Sequence, residues 1–202
     1  MEVCSDFSNL DLKYIKTNKN LGCGGNRAFA LKYFFEKEPT EYVMFLDSDD
    51  LLLPFAIEKL EHNIEHNKAD LLLTNILHEA SKEEKVIIPA EDSRTWLHGK
   101  IYRTQFLIDH NIVFPAELHT NEDLAFNLSL YAYQPESYLI NDEVYYYRNA
   151  PNSVTKTSEK LKKCLSIDYI DAIYWAYSKY KENKTPLSNL MISNVINCYN
   201  YY

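Results

Sequence analysis

The chain has 202 residues and a mass of 23.7 kDa, which is the size of one domain with at most a small addition. Its formal net charge is −8, from 21 Lys and Arg against 29 Asp and Glu, so it lacks the surplus of cations that general nucleic-acid binding requires. No apolar stretch approaches the roughly 20 residues of a membrane span, and the first residues carry no secretory signal pattern. The four cysteines form no CxxC pair, and we interpret them as reduced thiols of a cytoplasmic protein.

The N-terminal part of the chain alternates strand and helix patterns. A short strand is predicted at 13–16, followed by a glycine-rich loop. Apolar residues at helical spacing then predict a helix from Arg27 to Pro39. The continuous apolar run 42–46 is typical of a strand buried on both faces, as in a parallel sheet, and it stops at an acidic turn formed by Asp47, Ser48, Asp49 and Asp50.

The alternation continues further along the chain. Helices are predicted after Pro54 and at 104–110 and 122–133, and strands at 70–76, 85–89, 137–140 and 143–148. From Ser158 the pattern is helical, with an interruption at Pro186. The alternation predicts an α/β core over 1–157 with a mostly parallel sheet, and a helical segment over 158–202.

The acidic turn is the first candidate site, because ligands of open α/β sheets bind at the carboxyl ends of strands. Asp47, Asp49 and Asp50 repel one another unless a cation is present, and Mg²⁺ is bound by one or two carboxylates together with substrate phosphates. A solvated turn that caps the next helix is the alternative. An EF-hand loop is excluded because Leu52 stands where that loop needs glycine. A haloacid-dehalogenase-type phosphatase with Asp47 as nucleophile stays open, although its Gly-Thr turn is absent.

The glycine-rich loop is the second candidate. It begins at Asn20 and Gly22 and leads into a helix start, where backbone N–H groups favour anions. Arg27 lies in the first helical turn predicted here, where its charge opposes the helix dipole. Either an anionic ligand or an ion pair with Asp47 or Asp49 explains this position.

Residues between the third and sixth predicted strands supply further candidates. Glu122 and Asp123 open a helix, where a carboxylate either favours the helix dipole or acts as a general base. Trp96 is either a core residue or a surface on which a sugar stacks. His98 and His119 either line an acceptor site or are solvated or bonded internally.

Five groups of residues occur in order along the chain: Asn20-x-Gly22 with Asn26-Arg27, residues 42–50, residues 96–103, Phe114-Pro115 with residues 121–126, and residues 145–148 with 152–155. Together they resemble a bacterial-type family-two glycosyltransferase of the GT-A fold, over roughly residues 13–157. The resemblance implies a Rossmann-like α/β fold. It also implies inverting transfer of a sugar from a nucleotide-sugar, usually a UDP-sugar, to an acceptor hydroxyl of a glycan or lipid-linked acceptor in polysaccharide assembly.

The resemblance also implies roles for single residues. Asp49 is expected to be the main ligand of a Mg²⁺ or Mn²⁺ ion on the donor diphosphate, and Asp47 to contact the ribose or a metal-bound water. The base is expected on Asp123, with Glu122 as its neighbour. The expected donor-binding residues are Asn20, Gly22, Arg27, Asp47, Asp50, Arg148, Ser153 and Thr155, and the stretch from Arg148 to Thr155 is expected to form a lid. The expected acceptor-side residues are Trp96, His98 and His119.

The chain departs from the family pattern at its N-terminus. The family begins with a βαβ unit of about 30 residues that binds the base and ribose, and this chain starts beyond most of it. We therefore expect an exposed sheet edge, covered by a partner chain or a second copy. Relatives often continue to the membrane, so we also expect peripheral association with its inner face. A non-catalytic GT-A remnant that serves as an interaction subunit is the alternative to an active enzyme.

Overall fold

The computed structural model describes residues 11–37, 39–149 and 159–201, and the side chains in these ranges other than those of 159–166 and 198–201. The helices in these ranges are α1 (Gly22–Lys37), α2 (Ala56–Asn67), α3 (Thr104–Asp109), α4 (Glu122–Tyr131), α5 (Glu159–Asn183) and α6 (Asn189–Tyr201). The strands are β1 (Tyr42–Met44), β2 (Leu51–Leu52), β3 (Leu71–Glu79), β4 (Lys85–Ile88), β5 (Lys100–Arg103) and β6 (Ser137–Tyr147).

The described strands form one mixed sheet in the order β1-β5-β3-β6-β2, and β4 pairs with β3. The central pair is β3 and β6, which are parallel from Leu71 opposite Ser137 to His78 opposite Tyr147, with register shifts between Thr74 and Ile76. The α/β fold with helices flanking a mixed sheet is confirmed. The two strands predicted at 137–140 and 143–148 are one strand, β6.

The predicted predominance of parallel pairs is wrong for the described strands. The β3–β6 pair is parallel, whereas β1–β5, β2–β6, β3–β4 and β3–β5 are antiparallel. Parallel neighbours need a long crossover, usually a helix. No helix separates β3 from β4 or β4 from β5, so the chain turns back beside β3, whereas α3 and α4 lie between β5 and β6.

The two faces of the sheet are covered by different helices, because successive side chains of a strand point to opposite faces. Leu71 and Leu73 of β3 belong to a buried cluster with residues of α1, α3 and α4. Leu72 and Ile76 belong to a second cluster with Ala56 and Leu60 of α2. The sheet is thus the middle layer between α2 and the other three helices.

Helix α4 lies in the interior, and eight of its ten residues are buried. Phe126 packs toward the sheet in the first cluster. Leu128 packs on the opposite side against Ala172 and Ala176 of α5, and this cluster also includes Met191 of α6. The helical hairpin of α5 and α6, predicted as a separate segment, therefore packs directly on the helix that begins with Glu122. No helix in the described part of the chain has the length and apolar character needed to cross a membrane.

Three predictions near the N-terminus are corrected. Residues 13–16 form no strand, since they have no strand partner among the described residues. The glycine-rich stretch is not a loop, because α1 already begins at Gly22, with Asn20 Oδ1 accepting the Gly22 N–H at 2.9 Å. The strand predicted at 42–46 ends at Met44 and is half-buried, since β1 lies at the end of the strand order and pairs with β5 alone.

Candidate active site

Arg27 joins three elements at the carboxyl end of β1. It lies in the second turn of α1, and its guanidinium donates one hydrogen bond to Asp47 of the acidic turn and another to Glu122 in the first turn of α4. The Arg27 side chain is 19% exposed, so both ion pairs are partly shielded from water. The ion pair with Asp47 that the sequence left open is therefore present, and it fixes the acidic turn against the start of α4.

Gly24 allows α1 to approach this place closely. A Cβ atom at Gly24 would lie 2.8 Å from the carbonyl oxygens of both Leu118 and Pro115, and 3.3 Å from the Cβ of Glu122. These contacts leave no room for a side chain, so glycine brings the helix against the loop that leads into α4. Gly24 thus allows α1 to pack closely at this position.

The acidic turn is closed on itself and bound to β6. The N–H of Asp50 donates to the carbonyl of Asp47 at 3.0 Å, as in a β-turn. The hydroxyl of Tyr145 donates to Asp50 Oδ2 at 2.7 Å and accepts the N–H of Asp47 at 3.2 Å. The other oxygen of Asp50 accepts the backbone N–H of Arg148 at 2.9 Å. Asp50 is buried, whereas Asp49 is exposed at the tip of the turn.

His98 completes a cluster of possible metal ligands. Its Nε2 lies 3.5 Å from Asp47 Oδ2 and 3.6 Å from Asp50 Oδ2. One ligand atom from each of the three residues lies within 4.8 Å of the others. The ring of His98 is oriented by aromatic neighbours, with centroids 5.1 Å from that of Tyr145 and 4.7 Å from that of Tyr147. Two carboxylates and an imidazole are a donor set that suits a divalent cation.

The carboxylates of this region differ in pKa. Burial alone would raise the pKa of Asp47, but hydrogen bonds and charge from His98 and Arg27 lower it to about 2. Burial raises the pKa of Glu122 to about 7, and the charge of Asp123 adds to this, although Arg27 acts in the opposite direction. Burial also raises the pKa of Asp123 and of Asp50. Burial thus shifts the other three carboxyl groups toward protonation, whereas His98 and Arg27 keep Asp47 ionised.

Two residues that the sequence did not identify support the site. Tyr145 binds the acidic turn as described. Lys100 of β5 is 1% exposed, and its Nζ donates to the carbonyl of Ser93. Burial lowers the pKa of Lys100 to about 7, and the charge of Asp123 acts against this shift. Lys100 begins the segment Lys-Ile-Tyr-Arg, where no strand is predicted, so no sequence pattern indicates a buried cation there.

Comparison with known proteins identifies the family. The profile of glycosyl transferase family 2 matches residues 2–117, more than half of the chain. The chain belongs to glycosyl transferase family 2. Poly(ribitol-phosphate) beta-N-acetylglucosaminyltransferase TarS of Staphylococcus aureus is 29% identical over 150 residues, covering 69% of this chain and 25% of TarS. The uncharacterized glycosyltransferase EpsJ of Bacillus subtilis is 22% identical over 142 residues, covering 59% of this chain and 41% of EpsJ.

Solved structures show the same fold. The crystal structure of S. aureus TarS 1–349 in complex with UDP-GlcNAc has a TM-score of 0.65 at 23% identity, covering 85% of this chain and 53% of that one. The structure of the same TarS fragment with UDP has a TM-score of 0.61, covering 84% of this chain and 52% of that one. The family-2 chain described here thus spans about half of the solved fragment and a quarter of full-length TarS.

The remaining predicted site residues of this family-2 chain differ in how they lie relative to Asp47, Asp50 and His98. Trp96 is half-buried and packs against the buried cluster that contains Ala56 and Leu60 of α2, in agreement with a core role. Its ring centroid lies 5.8 Å from that of His98. His119 is exposed on the loop before α4, where its N–H donates to Asp168 of α5 at 3.1 Å. Arg148 contacts the acidic turn through its backbone. Ser153, Thr155 and the lid predicted around them lie outside the described residues.

Proposed function

We propose that this chain forms the core of an inverting glycosyltransferase that moves a sugar from a nucleotide-sugar to an acceptor hydroxyl. The observation that carries the proposal is the Arg27 bridge, which places the acidic turn with Asp47 beside the start of α4 with Glu122 and Asp123. A glycosyl transfer needs charge compensation on the departing diphosphate and a base on the other side of the sugar. The acidic turn offers ligands for a cation that compensates the diphosphate charge, and the start of α4 offers the base.

The donor we propose is a UDP-sugar. The family match and the likeness to TarS, whose structures contain UDP and UDP-GlcNAc, support this choice. UDP-GlcNAc is therefore the first donor to test. Arg27 is the nearest described cation to the acidic turn, and we expect it to exchange one carboxylate partner for the donor when the donor binds.

We propose that Asp47, Asp50 and His98 frame a divalent cation and that exposed Asp49 supplies a further carboxylate toward the donor. The close grouping of two carboxylates and an imidazole fits such an ion. The nitrogen ligand favours Mn²⁺ over Mg²⁺, since Mg²⁺ prefers oxygen ligands and keeps its waters. When bound, the cation supplies Lewis-acid neutralisation of negative charge on the diphosphate.

We assign the base to Asp123 and a structural role to Glu122. Glu122 is buried and bound by Arg27, whereas Asp123 is half-buried and one of its oxygens accepts the N–H of Leu124 at 2.8 Å. Asp123 removes the proton of the acceptor hydroxyl as the acceptor oxygen bonds to the anomeric carbon. The bond from that carbon to the diphosphate breaks on the opposite face, which inverts the configuration. Base catalysis of this kind contributes typically 10²–10⁴-fold.

The acceptor class we propose is a glycan or lipid-linked polymer with free hydroxyl groups. TarS is named as a transferase that acts on poly(ribitol-phosphate), a polymer that carries free hydroxyl groups. The acceptor side is assigned to Trp96 and to His119 on the loop before α4, whereas His98, which the sequence also placed there, is assigned to the cation. We also propose that the protein is cytoplasmic, associates peripherally with the membrane and binds a partner chain or a second copy.

The test is release of UDP from UDP-GlcNAc in the presence of Mn²⁺, first with water and then with a panel of polyol and glycan acceptors. We expect release by the wild type and loss of at least about 10²-fold in Asp123→Asn. Donor binding without release under every acceptor condition would favour a non-catalytic binding subunit. A wild type that binds no UDP-sugar and releases no UDP from any of them would overturn the proposal.

A further inference from the structure

Tyr145 makes an unusual set of contacts with the candidate cation site. Its side chain is 1% exposed, and its hydroxyl lies between the two ends of the acidic turn. It donates to Asp50 Oδ2 at 2.7 Å and accepts the backbone N–H of Asp47 at 3.2 Å. Its ring is also in edge contact with the ring of His98, at 5.1 Å between centroids and an interplanar angle of 75°. One buried side chain therefore touches all three residues of the cluster.

The direction of these hydrogen bonds is fixed. The N–H of Asp47 can only donate, so the Tyr145 oxygen accepts there and its proton points to Asp50. The phenol carries its proton near neutral pH, because the ordinary pKa of tyrosine is about 10. A neutral O–H directed at a buried carboxylate is a charge-assisted hydrogen bond, which is stronger than one between neutral groups.

The second oxygen of Asp50 is held by the same part of the chain. It accepts the N–H of Arg148 at 2.9 Å, three residues beyond Tyr145 at the end of β6. Both oxygens of Asp50 are therefore positioned by β6, one by a side chain and one by the backbone. Removing the Tyr145 hydroxyl would leave Asp50 held on one side only and would leave the Asp47 N–H without its acceptor.

We propose that Tyr145 is a positioning residue of the cation site, which orients Asp50 and sets the place of the turn that carries Asp47. The inference rests on the proposed function, because it assumes that the cluster binds a divalent cation. Partners of this kind, one step removed from the ligands, typically change metal affinity 10–100-fold when they are removed. Tyr145 acts through Asp50 and does not itself contact the donor or the acceptor in this account.

The experiment is a titration of Mn²⁺, followed by the electron paramagnetic resonance signal of the free ion, into the wild type, Tyr145→Phe and Tyr180→Phe. Tyr180 is a matched control, because it is also 1% exposed and its hydroxyl makes a 2.7 Å hydrogen bond, to Ser188 in the helical hairpin. We expect Mn²⁺ affinity to fall by at least about 10-fold in Tyr145→Phe and to stay within two-fold of wild type in Tyr180→Phe, with similar falls in melting temperature.

A double-mutant cycle with Asp50→Asn tests whether Tyr145 acts through Asp50. We expect the two substitutions together to weaken Mn²⁺ binding by clearly less than the product of their separate effects, since in Asp50→Asn the hydroxyl has no carboxylate left to orient. Additive losses would overturn the inference. So would wild-type Mn²⁺ affinity in Tyr145→Phe, and in that case the proposed function would stand. A wild type that binds no Mn²⁺ would overturn the cation site and this inference together.

If Tyr145→Phe does not fold, a measurement on the wild type tests the role of Tyr145. Hydrogen exchange of the Asp47 amide reports on the hydrogen bond to Tyr145 directly, because the hydroxyl is the acceptor of that N–H. We expect this amide to be protected and Mn²⁺ to slow its exchange further. An amide that exchanges at the rate of an unstructured peptide, with or without Mn²⁺, would overturn the inference.

Discussion

Arg27 of α1 donates a hydrogen bond to Glu122 of α4, although 95 residues separate them in the sequence. This ion pair does not lower the pKa of Glu122 below its ordinary value. Burial and the neighbouring charge of Asp123 outweigh the guanidinium and raise the pKa of Glu122 to about 7. The proton of Glu122 is thus held near neutral pH at the place where the acidic turn meets α4.

The raised pKa of Glu122 predicts a specific pH dependence of stability. The folded state holds this proton more tightly than the unfolded state, so its contribution is complete below about pH 4.5 and is lost as the pH rises through about 7. We expect the fall in the free energy of unfolding between pH 5 and 8 to shrink by about 3 kcal/mol in Glu122→Gln. Urea unfolding at both pH values measures this. Glu117→Gln, on the exposed loop, is the control, and equal slopes in wild type and Glu122→Gln would refute the prediction.

Asp123→Asn separates catalysis from donor binding. The amide keeps the size of the carboxylate and can still accept the Leu124 N–H, but it cannot take a proton. We expect turnover of UDP-GlcNAc to fall by at least about 10²-fold, while the affinity for UDP stays within a few-fold of wild type. Steady-state release of UDP and calorimetric binding measure the two quantities. A variant with wild-type turnover would remove Asp123 from the reaction.

Gly24→Ala tests the close packing of α1. Alanine favours a helix over glycine by up to about 1 kcal/mol, which alone would stabilise the variant. The new Cβ would meet two backbone carbonyl oxygens at 2.8 Å, and backbone cannot move aside cheaply. We expect the clash to win and the free energy of unfolding to fall by about 1–3 kcal/mol. Asn26→Ala, exposed in the same helix, is the control. A stabilised Gly24→Ala would contradict the packing at this contact.

His98→Ala tests the nitrogen ligand of the cluster. Because the imidazole favours Mn²⁺ over Mg²⁺, its loss should weaken Mn²⁺ binding by at least about 10-fold and change Mg²⁺ binding less. His62→Ala, exposed on α2, is the control for the loss of a histidine. Competition titrations of the two ions provide the measurement. Equal losses for both ions would show that His98 shapes the site without selecting the metal.

The sequence predicted the parts of the site that carry local signals. An apolar run that ends in three carboxylates indicates Asp47 to Asp50, and a helix start after Asn121 indicates Glu122. The role of Tyr145 depends on a contact with Asp50 across 95 residues, which no local pattern reveals. The glycine-rich stretch predicts a loop that favours anions, because composition does not show that Leu118 and Pro115 approach Gly24.

The same limit explains the error in the sheet. Local apolar patterns predict β3 and β4 to within a few residues, whereas no predicted strand corresponds to β2 or β5, and β6 is predicted as two strands. Residues 89–99 form no helix, and their path decides whether β5 lies between β1 and β3 and in which direction it runs. The sequence pattern therefore indicates strands but leaves their neighbours undetermined.

Metal-dependent binding of UDP would show that the acidic turn holds the donor through a divalent cation. Calorimetric titration of UDP into the wild type with and without Mn²⁺, and into Asp49→Ala with Mn²⁺, is the measurement. Asp49 is exposed, so its replacement should leave the fold intact. The account predicts binding that requires Mn²⁺ and is lost in Asp49→Ala. Absence of UDP binding in the wild type, or binding that is the same without Mn²⁺ and in Asp49→Ala, would contradict it.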